Sequence, residues 1–128
     1  MSPNRPLRIG LVGADRHARG FGARAHIPAI LSGPEFELTA VCTTREETAQ
    51  LAAERYGAKR YHVGIDSLTK DPEVDLVIAS ITVRPHYPVS WAALKAGKMV
   101  YCEWPLGLNS DEAETLSRLA REVGVLTA

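Results

Sequence analysis

The run Leu7-Arg8-Ile9-Gly10-Leu11-Val12 ends on Gly13 and opens into Ala14-Asp15-Arg16-His17-Ala18. A strand that stops on a glycine and turns into a helix start can hold an anion. The first helical turn offers unpaired N–H groups and a positive dipole end. Counted from Gly13, the spacing is a degraded G-x-G-x-x-G phosphate turn. Gly13 fits the tight turn, Asp15 stands where a second glycine would let the backbone approach a pyrophosphate, and Ala18 takes the third position. Arg16, Arg19 and Arg24 follow closely and supply positive charge for a pyrophosphate, although any one of them alone reads as a solvated loop cation. His17 reads as a surface histidine of the loop. His26 and His62 have no clustered partners in the sequence, which argues against a metal site.

The other candidate positions fall where further strands should end. After the second strand comes Cys42-Thr43-Thr44-Arg45, with no Asp or Glu at the strand's end to grip an adenosine ribose. Hydroxyls beside an arginine suit a 2′-phosphate, which favours NADP over NAD; the competing reading gives Thr44 to the following helix as its cap. Ser80, Ile81 and Thr82 close the fourth strand, with His86 at the start of the next helix, and Glu103 and Trp104 follow the fifth.

These positions need a scaffold, and the chain alternates strand and helix. The strands are Leu7–Val12, Glu37–Cys42, a short one near Lys59–Tyr61, Leu76–Ile81 and Met99–Cys102. Helices are expected over Ala23–Leu31, stopped by Gly33-Pro34, and after Thr44, where Thr44 and Glu47 form a T-x-x-E capping box. In that second helix Ala49, Ala52, Ala53 and Tyr56 share one face, and Gly57 closes it. A helical turn at Ser67–Thr69, a helix from Pro85 or His86 to Ala96 with Gly97 behind it, and a last helix over Ser110–Glu122 complete the set. Asn109 caps the last helix, Glu112 sits three residues on, and Ala113, Leu116, Leu119, Ala120 and Val123 make its apolar face. Val125-Leu126 reads as the start of a sixth strand. The continuous apolar run at Leu76 suits a strand covered on both faces. The pattern predicts an α/β fold: a Rossmann-type doubly wound parallel sheet in three α/β/α layers, one domain over residues 1–128.

Composition narrows the class. Fifteen Lys and Arg balance fifteen Asp and Glu, which argues against a nucleic-acid surface. No apolar run spans a bilayer and no signal-peptide core opens the chain, so a cytoplasmic protein with no membrane partner is expected. Cys42 and Cys102 lie in apolar runs and read as buried thiols, not a disulfide.

With those residues laid out, the chain resembles the N-terminal domain of the glucose–fructose oxidoreductase / inositol dehydrogenase / MocA family. The likeness runs essentially end to end. It is carried by the Gly13 turn, His26-Ile-Pro-Ala-Ile30, Ala40–Arg45, Asp71–Val77, Pro85-His86-Tyr87, Ala93–Lys98 and Val100–Leu106. The A-L-x-A-G-K-x-V-x-x-E-x-P stretch is its most specific part. Within the family it looks nearest the branch containing the yeast galactose-regulon corepressor. The resemblance implies NAD or NADP as cofactor, with Gly13, Ala14, Asp15, Arg16, Thr43, Thr44, Arg45, Ser80, Ile81, Thr82, His86, Glu103 and Trp104 around it. It places Glu103 near the nicotinamide ribose. It also implies a second domain, absent from this chain, that supplies the substrate pocket and usually a homo-oligomer interface. One departure bears on chemistry: Trp104 stands where typical members have a lysine that relays the substrate proton, and an indole only donates a hydrogen bond. Two readings follow: a full-length oxidoreductase acting on a sugar or cyclitol hydroxyl, or a non-catalytic dinucleotide sensor or corepressor. The isolated domain is expected to be inactive. Pro105 is a candidate for a cis peptide bond.

Overall fold

The computed structural model describes residues 4–14, 17 and 19–128. Asp15 and Arg16, named above as cofactor contacts, and Ala18 lie outside the described residues. Five parallel strands, β1 (Leu7–Val12), β2 (Phe36–Thr43), β3 (Arg60–Val63), β4 (Leu76–Ala79) and β5 (Met99–Cys102), lie in the order β3-β2-β1-β4-β5. The order reverses between β1 and β4, which is where doubly wound sheets open a crevice at their carboxyl ends. Val125-Leu126, expected to start a sixth strand, form none; beside β5, Val100 instead pairs in parallel with Thr127 as an isolated bridge, and the Cys102 N–H donates to the Ala128 carbonyl at 2.9 Å.

Helices cover both faces, because right-handed crossovers put the two halves on opposite sides. Helix α1 has a π-wound segment, Gly22–His26, that runs into an α-wound one, Ile27–Leu31; with α2 (Glu46–Tyr56) it packs Ile27, Ile30, Ala52 and Ala53 on Ile9, Leu11, Leu38 and Val41. On the other face α3 (Ile65–Thr69), α4 (His86–Lys95) and α5 (Ser110–Val123) bring Leu68, Leu94 and Leu116 onto Val77, Ala79 and Val100. Each such Leu, Ile or Val contributes about 1.5–3 kcal/mol by leaving water. Gly10 admits Leu68: a Cβ there would stand 2.8 Å from Leu68 Cδ1.

Several expectations need correcting in detail. Thr44 does not cap α2 through a T-x-x-E box. The extended N-cap residue is Arg45, which makes no side-chain cap bond. Instead the Thr43 and Thr48 hydroxyls, 2.7 Å apart, both point at the Arg45 carbonyl, at 2.9 and 3.0 Å. The first helix starts at Gly22 rather than Ala23, and β3 runs two residues beyond Tyr61. Strand β4 stops at Ala79, two residues before Ile81, because the Ser80 N–H still pairs with Val12 while its carbonyl turns over Gly13. Asn109 does cap α5, accepting from the Glu112 N–H at 2.9 Å, and the Glu112 carboxylate accepts from the Leu108 N–H at 2.7 Å. Val123 at the end of α5 is exposed, whereas Leu116, Leu119 and Ala120 are buried. The Trp104–Pro105 bond is cis, and both cysteines are free; Cys102 is half-buried.

Charge collects at the amino end of the sheet and along the β3 edge. Asp75 accepts from Arg5 Nη1 at 2.6 Å, Arg8 Nη2 at 3.0 Å and the Arg8 N–H at 3.0 Å; Arg8 also pairs with Glu73. Burial opposes the charged form of Asp75, but the hydrogen bonds from Arg5 and Arg8 outweigh it and hold the carboxyl well below the usual carboxylate range. Asp71, likewise opposed by burial and lowered by His62, the Glu73 N–H and Arg60, ties β3 to the approach to β4. Lys98 donates to the Asp71 and Val74 carbonyls at 2.8 and 2.7 Å. No helix among the described residues is long and apolar enough to cross a membrane.

Candidate functional site: the strand-end cleft

The carboxyl ends of β1 and β4 meet at Gly13. Its φ is 92°, a left-handed conformation that an L side chain rarely adopts. A Cβ there would stand 2.1 Å from the Ser80 carbonyl oxygen and 2.5 Å from Ile81 Cγ2. The Gly13 N–H donates to the Cys42 carbonyl at 3.1 Å, so one residue joins the ends of three strands. Ala14, the next residue, is buried.

Beside this junction lies a cleft of about 480 Å³, bordered by Gly13, Thr43, Thr44, Ile65, Ile81 and Val89. Its walls are mostly apolar with hydroxyls and backbone groups at one side, which suits a flat heterocycle attached to a polar sugar. Cys42 also lines it, and burial pushes that thiol up to about 11, so it stays protonated near neutral pH and acts as an apolar wall. Gly64 lets the chain turn here, its N–H donating to the Thr43 carbonyl at 2.8 Å. Arg45 is exposed at the start of α2.

A second group forms beyond Gly13, where β4 and β5 end. Glu103 Oε1 accepts from Ser80 Oγ at 2.8 Å and lies 2.9 Å from His26 Nε2. Gly22 packs against the same serine; a Cβ on it would be 3.0 Å from Ser80 Oγ. Gly22 thus allows the close helix–strand packing that the fingerprint assigns to its third glycine. It was missed because the loop before the helix is longer than the pattern. His26 was also missed: it meets Glu103 across 77 positions of sequence, and no local spacing announces that.

The remaining candidates divide. His86 is 2% exposed, with Nδ1 2.6 Å from the Pro105 carbonyl and Nε2 2.9 Å from the Ile81 carbonyl. It ties the turn after β4 to the turn after β5 from beneath, and presents no ring edge to the cleft. Thr82 is exposed above it. Trp104 is 92% exposed, its indole projecting from the end of β5.

The residues present fit a dinucleotide. The sidechain-free Gly13 junction, the apolar cleft and the hydroxyl–arginine turn stand on one side of the switch point, and the Ser80–Glu103–His26 group stands on the other. A domain of this topology, with ligand-directed groups confined to its strand ends, is a nucleotide-binding doubly wound domain. The chain belongs to the oxidoreductase family with an NAD-binding Rossmann fold, whose model matches residues 7–128.

Its relatives include dTDP-3,4-didehydro-2,6-dideoxy-alpha-D-glucose 3-reductase of Streptomyces violaceoruber, 36% identical over 97% of this chain and 35% of that protein. The galactose/lactose metabolism regulatory protein GAL80 of Saccharomyces cerevisiae is 29% identical over 95% of this chain and 30% of that protein. Among solved structures, the 3-ketoreductase KijD10 from Actinomadura kijaniata in complex with NADP superimposes with a TM-score of 0.85 at 32% identity, over 95% of this chain and 37% of that one. GenD2 from gentamicin A biosynthesis, in complex with NAD, gives 0.85 at 27% identity over 100% of this chain and 35% of that one. The chain therefore spans about a third of the length of the curated relatives it matches.

Proposed function

We propose that this chain holds NAD(P) across the carboxyl ends of β1, β2, β4 and β5, as the cofactor half of an oxidoreductase acting on a sugar or cyclitol hydroxyl. The observation that carries the reading is the Gly13 junction, packed against Ser80 and Ile81 and opening directly onto the apolar cleft. In this arrangement Gly13, Ala14, Asp15 and Arg16 form the pyrophosphate turn, and Ser80, Ile81, Thr82 and Glu103 form the nicotinamide side. Thr43, Thr44 and Arg45 meet the adenosine ribose. Bound NAD(P) supplies the hydride acceptor or donor, and the protein supplies position and polarity.

NADP is the preferred form. No acid ends β2 to bind a free 2′-hydroxyl, and the exposed Arg45 guanidinium can pair with a 2′-phosphate. The Thr43 hydroxyl is already turned inward onto the Arg45 carbonyl, so Thr44 and Arg45 carry this contact. Arg45→Ala should weaken NADP binding about tenfold while leaving NAD within about twofold, measured by calorimetric titration. Equal losses for both cofactors would end the NADP assignment.

Turnover requires a substrate pocket that a lone domain of this fold does not enclose. That pocket falls to a second domain of a longer, homo-oligomeric protein, and the isolated chain is inactive on polyols. A second reading is favoured by Trp104. With an indole where typical members have lysine, and with a metabolism regulatory protein among the relatives, the longer protein acts as a dinucleotide-loaded sensor that binds another protein. Hydride transfer by the longer protein that is gained or raised on Trp104→Lys favours the enzyme. Cofactor-dependent capture of a protein partner without turnover favours the sensor.

A further inference from the structure

We infer that His26 is a positioning residue of the dinucleotide site: it fixes the Glu103 carboxylate that serves the nicotinamide end. This rests on the reading of Glu103 as a cofactor contact. Two donors from different elements converge on one carboxylate oxygen: Ser80 Oγ from the end of β4 at 2.8 Å, and His26 Nε2 from α1 at 2.9 Å. Glu103 Oε1 accepts in both contacts, with the donor hydrogen of the second assigned to His26 Nε2. Both bonds go to Oε1, and Oε2 takes part in neither. The two side chains are 12% and 22% exposed, enough to be reached from the strand ends but too little to swing freely. The ring itself is held edge-on between Phe21, at 5.2 Å between centroids, and Tyr101, at 5.4 Å.

The winding of α1 makes this possible. A π-wound segment is rare and recurs at functional sites, because its extra residue per turn re-aims side chains without breaking the helix. Here the π-wound Gly22–His26 segment sets Gly22 against Ser80 and His26 against Glu103, while Ile27 and Ile30 stay in the core. An ordinary packing histidine needs no such segment. A ring hydrogen-bonded to a strand-end carboxylate, from a helix rewound to reach it, orients that carboxylate before any ligand arrives.

Donation and packing are separable by two substitutions. His26→Gln keeps an N–H donor near the position of Nε2 and loses the aromatic edge contacts; His26→Phe keeps the ring and loses the donor. The readout is affinity for NADPH and for its adenosine half, 2′,5′-ADP, by calorimetric titration of the chain, or for NADH and AMP if the chain takes NAD. His26→Phe should weaken the reduced dinucleotide about tenfold and leave the adenosine half within about twofold, whereas His26→Gln should hold both within about threefold. The reverse order, with Gln losing affinity and Phe keeping it, makes the ring a packing element and overturns the inference. So does loss of the adenosine half alongside the dinucleotide. Glu103→Ala separates this inference from the reading beneath it. If that variant binds the dinucleotide as well as the parent chain, the cofactor role of Glu103 falls, and His26 with it. If it loses affinity while His26→Phe does not, only the role of His26 falls.

Discussion

At the amino end of the sheet Asp75 is ringed by Arg5 and Arg8, and Asp71 by Arg60, His62 and the Glu73 N–H, with Lys98 reaching two carbonyls between them. At the carboxyl end the groups named above face outward or hold a neighbour in place. Gly13 and Gly22 allow close approach, Ser80 and His26 converge on Glu103, and Arg45 stands exposed. Both ends are polar, and the cleft bordered by Gly13, Thr43 and Ile81 opens at the carboxyl end. The amino-end charges are answered within the chain, so they lock the crossovers and have little left for a ligand. At the carboxyl end Thr44 and Arg45 stand exposed beside the Gly13 junction, and that exposure marks the site.

The difference can be broken from either side. The largest effect belongs to Gly13→Ala, which combines a left-handed φ with a Cβ 2.1 Å from the Ser80 carbonyl; it should cost at least about 3 kcal/mol in urea denaturation and remove cofactor binding with it. Asp75→Ala comes next, at about 2 kcal/mol. It leaves two arginines without their carboxylate, but their partial exposure lets water replace part of it. The variant's melting temperature should still rise on adding NADP, because the amino end has no part in the site. A Gly13→Ala variant that folds and binds normally, or an Asp75→Ala variant that folds and no longer responds to NADP, would erase the distinction.

Acid sharpens it further. Asp75 and Asp71 have pKa values lowered by folding, so the stability they contribute is complete above the unfolded carboxylate value of about 4 and is lost as pH falls through it toward their folded values. Unfolding below about pH 4 should therefore be shallower in Asp75→Ala than in the parent chain, when melting temperature is followed against pH. The smallest effect is Asn109→Ala, expected at about 1 kcal/mol for the lost α5 cap with no change in ligand response.

Most of the scaffold was legible because it is written locally. Alternating strands and helices, the apolar face of α2, the Asn109 cap and the carboxyl ends of β1 and β5 follow from short-range pattern. The remaining details depend on partners, near or far along the chain, that local spacing does not single out. Thr44 reads as a cap by spacing, but the neighbouring Thr43 and Thr48 hydroxyls take the Arg45 carbonyl and move the cap to Arg45. His86 reads as a cleft residue, but two backbone carbonyls from separate turns enclose it. His26 reads as isolated, and its carboxylate partner arrives only when β5 lies beside β4. The π-winding of α1 has no spacing signature at all.

The central claim is that the strand-end cleft binds a dinucleotide, and thermal unfolding of the chain with added NADP or NAD tests it most directly. A ligand that binds only the folded state raises the melting temperature in proportion to RT ln(1 + [L]/Kd). A concentration-dependent rise with at least one cofactor, reduced by Arg45→Ala for NADP alone, is the predicted result. No rise with either cofactor at millimolar concentration would contradict it.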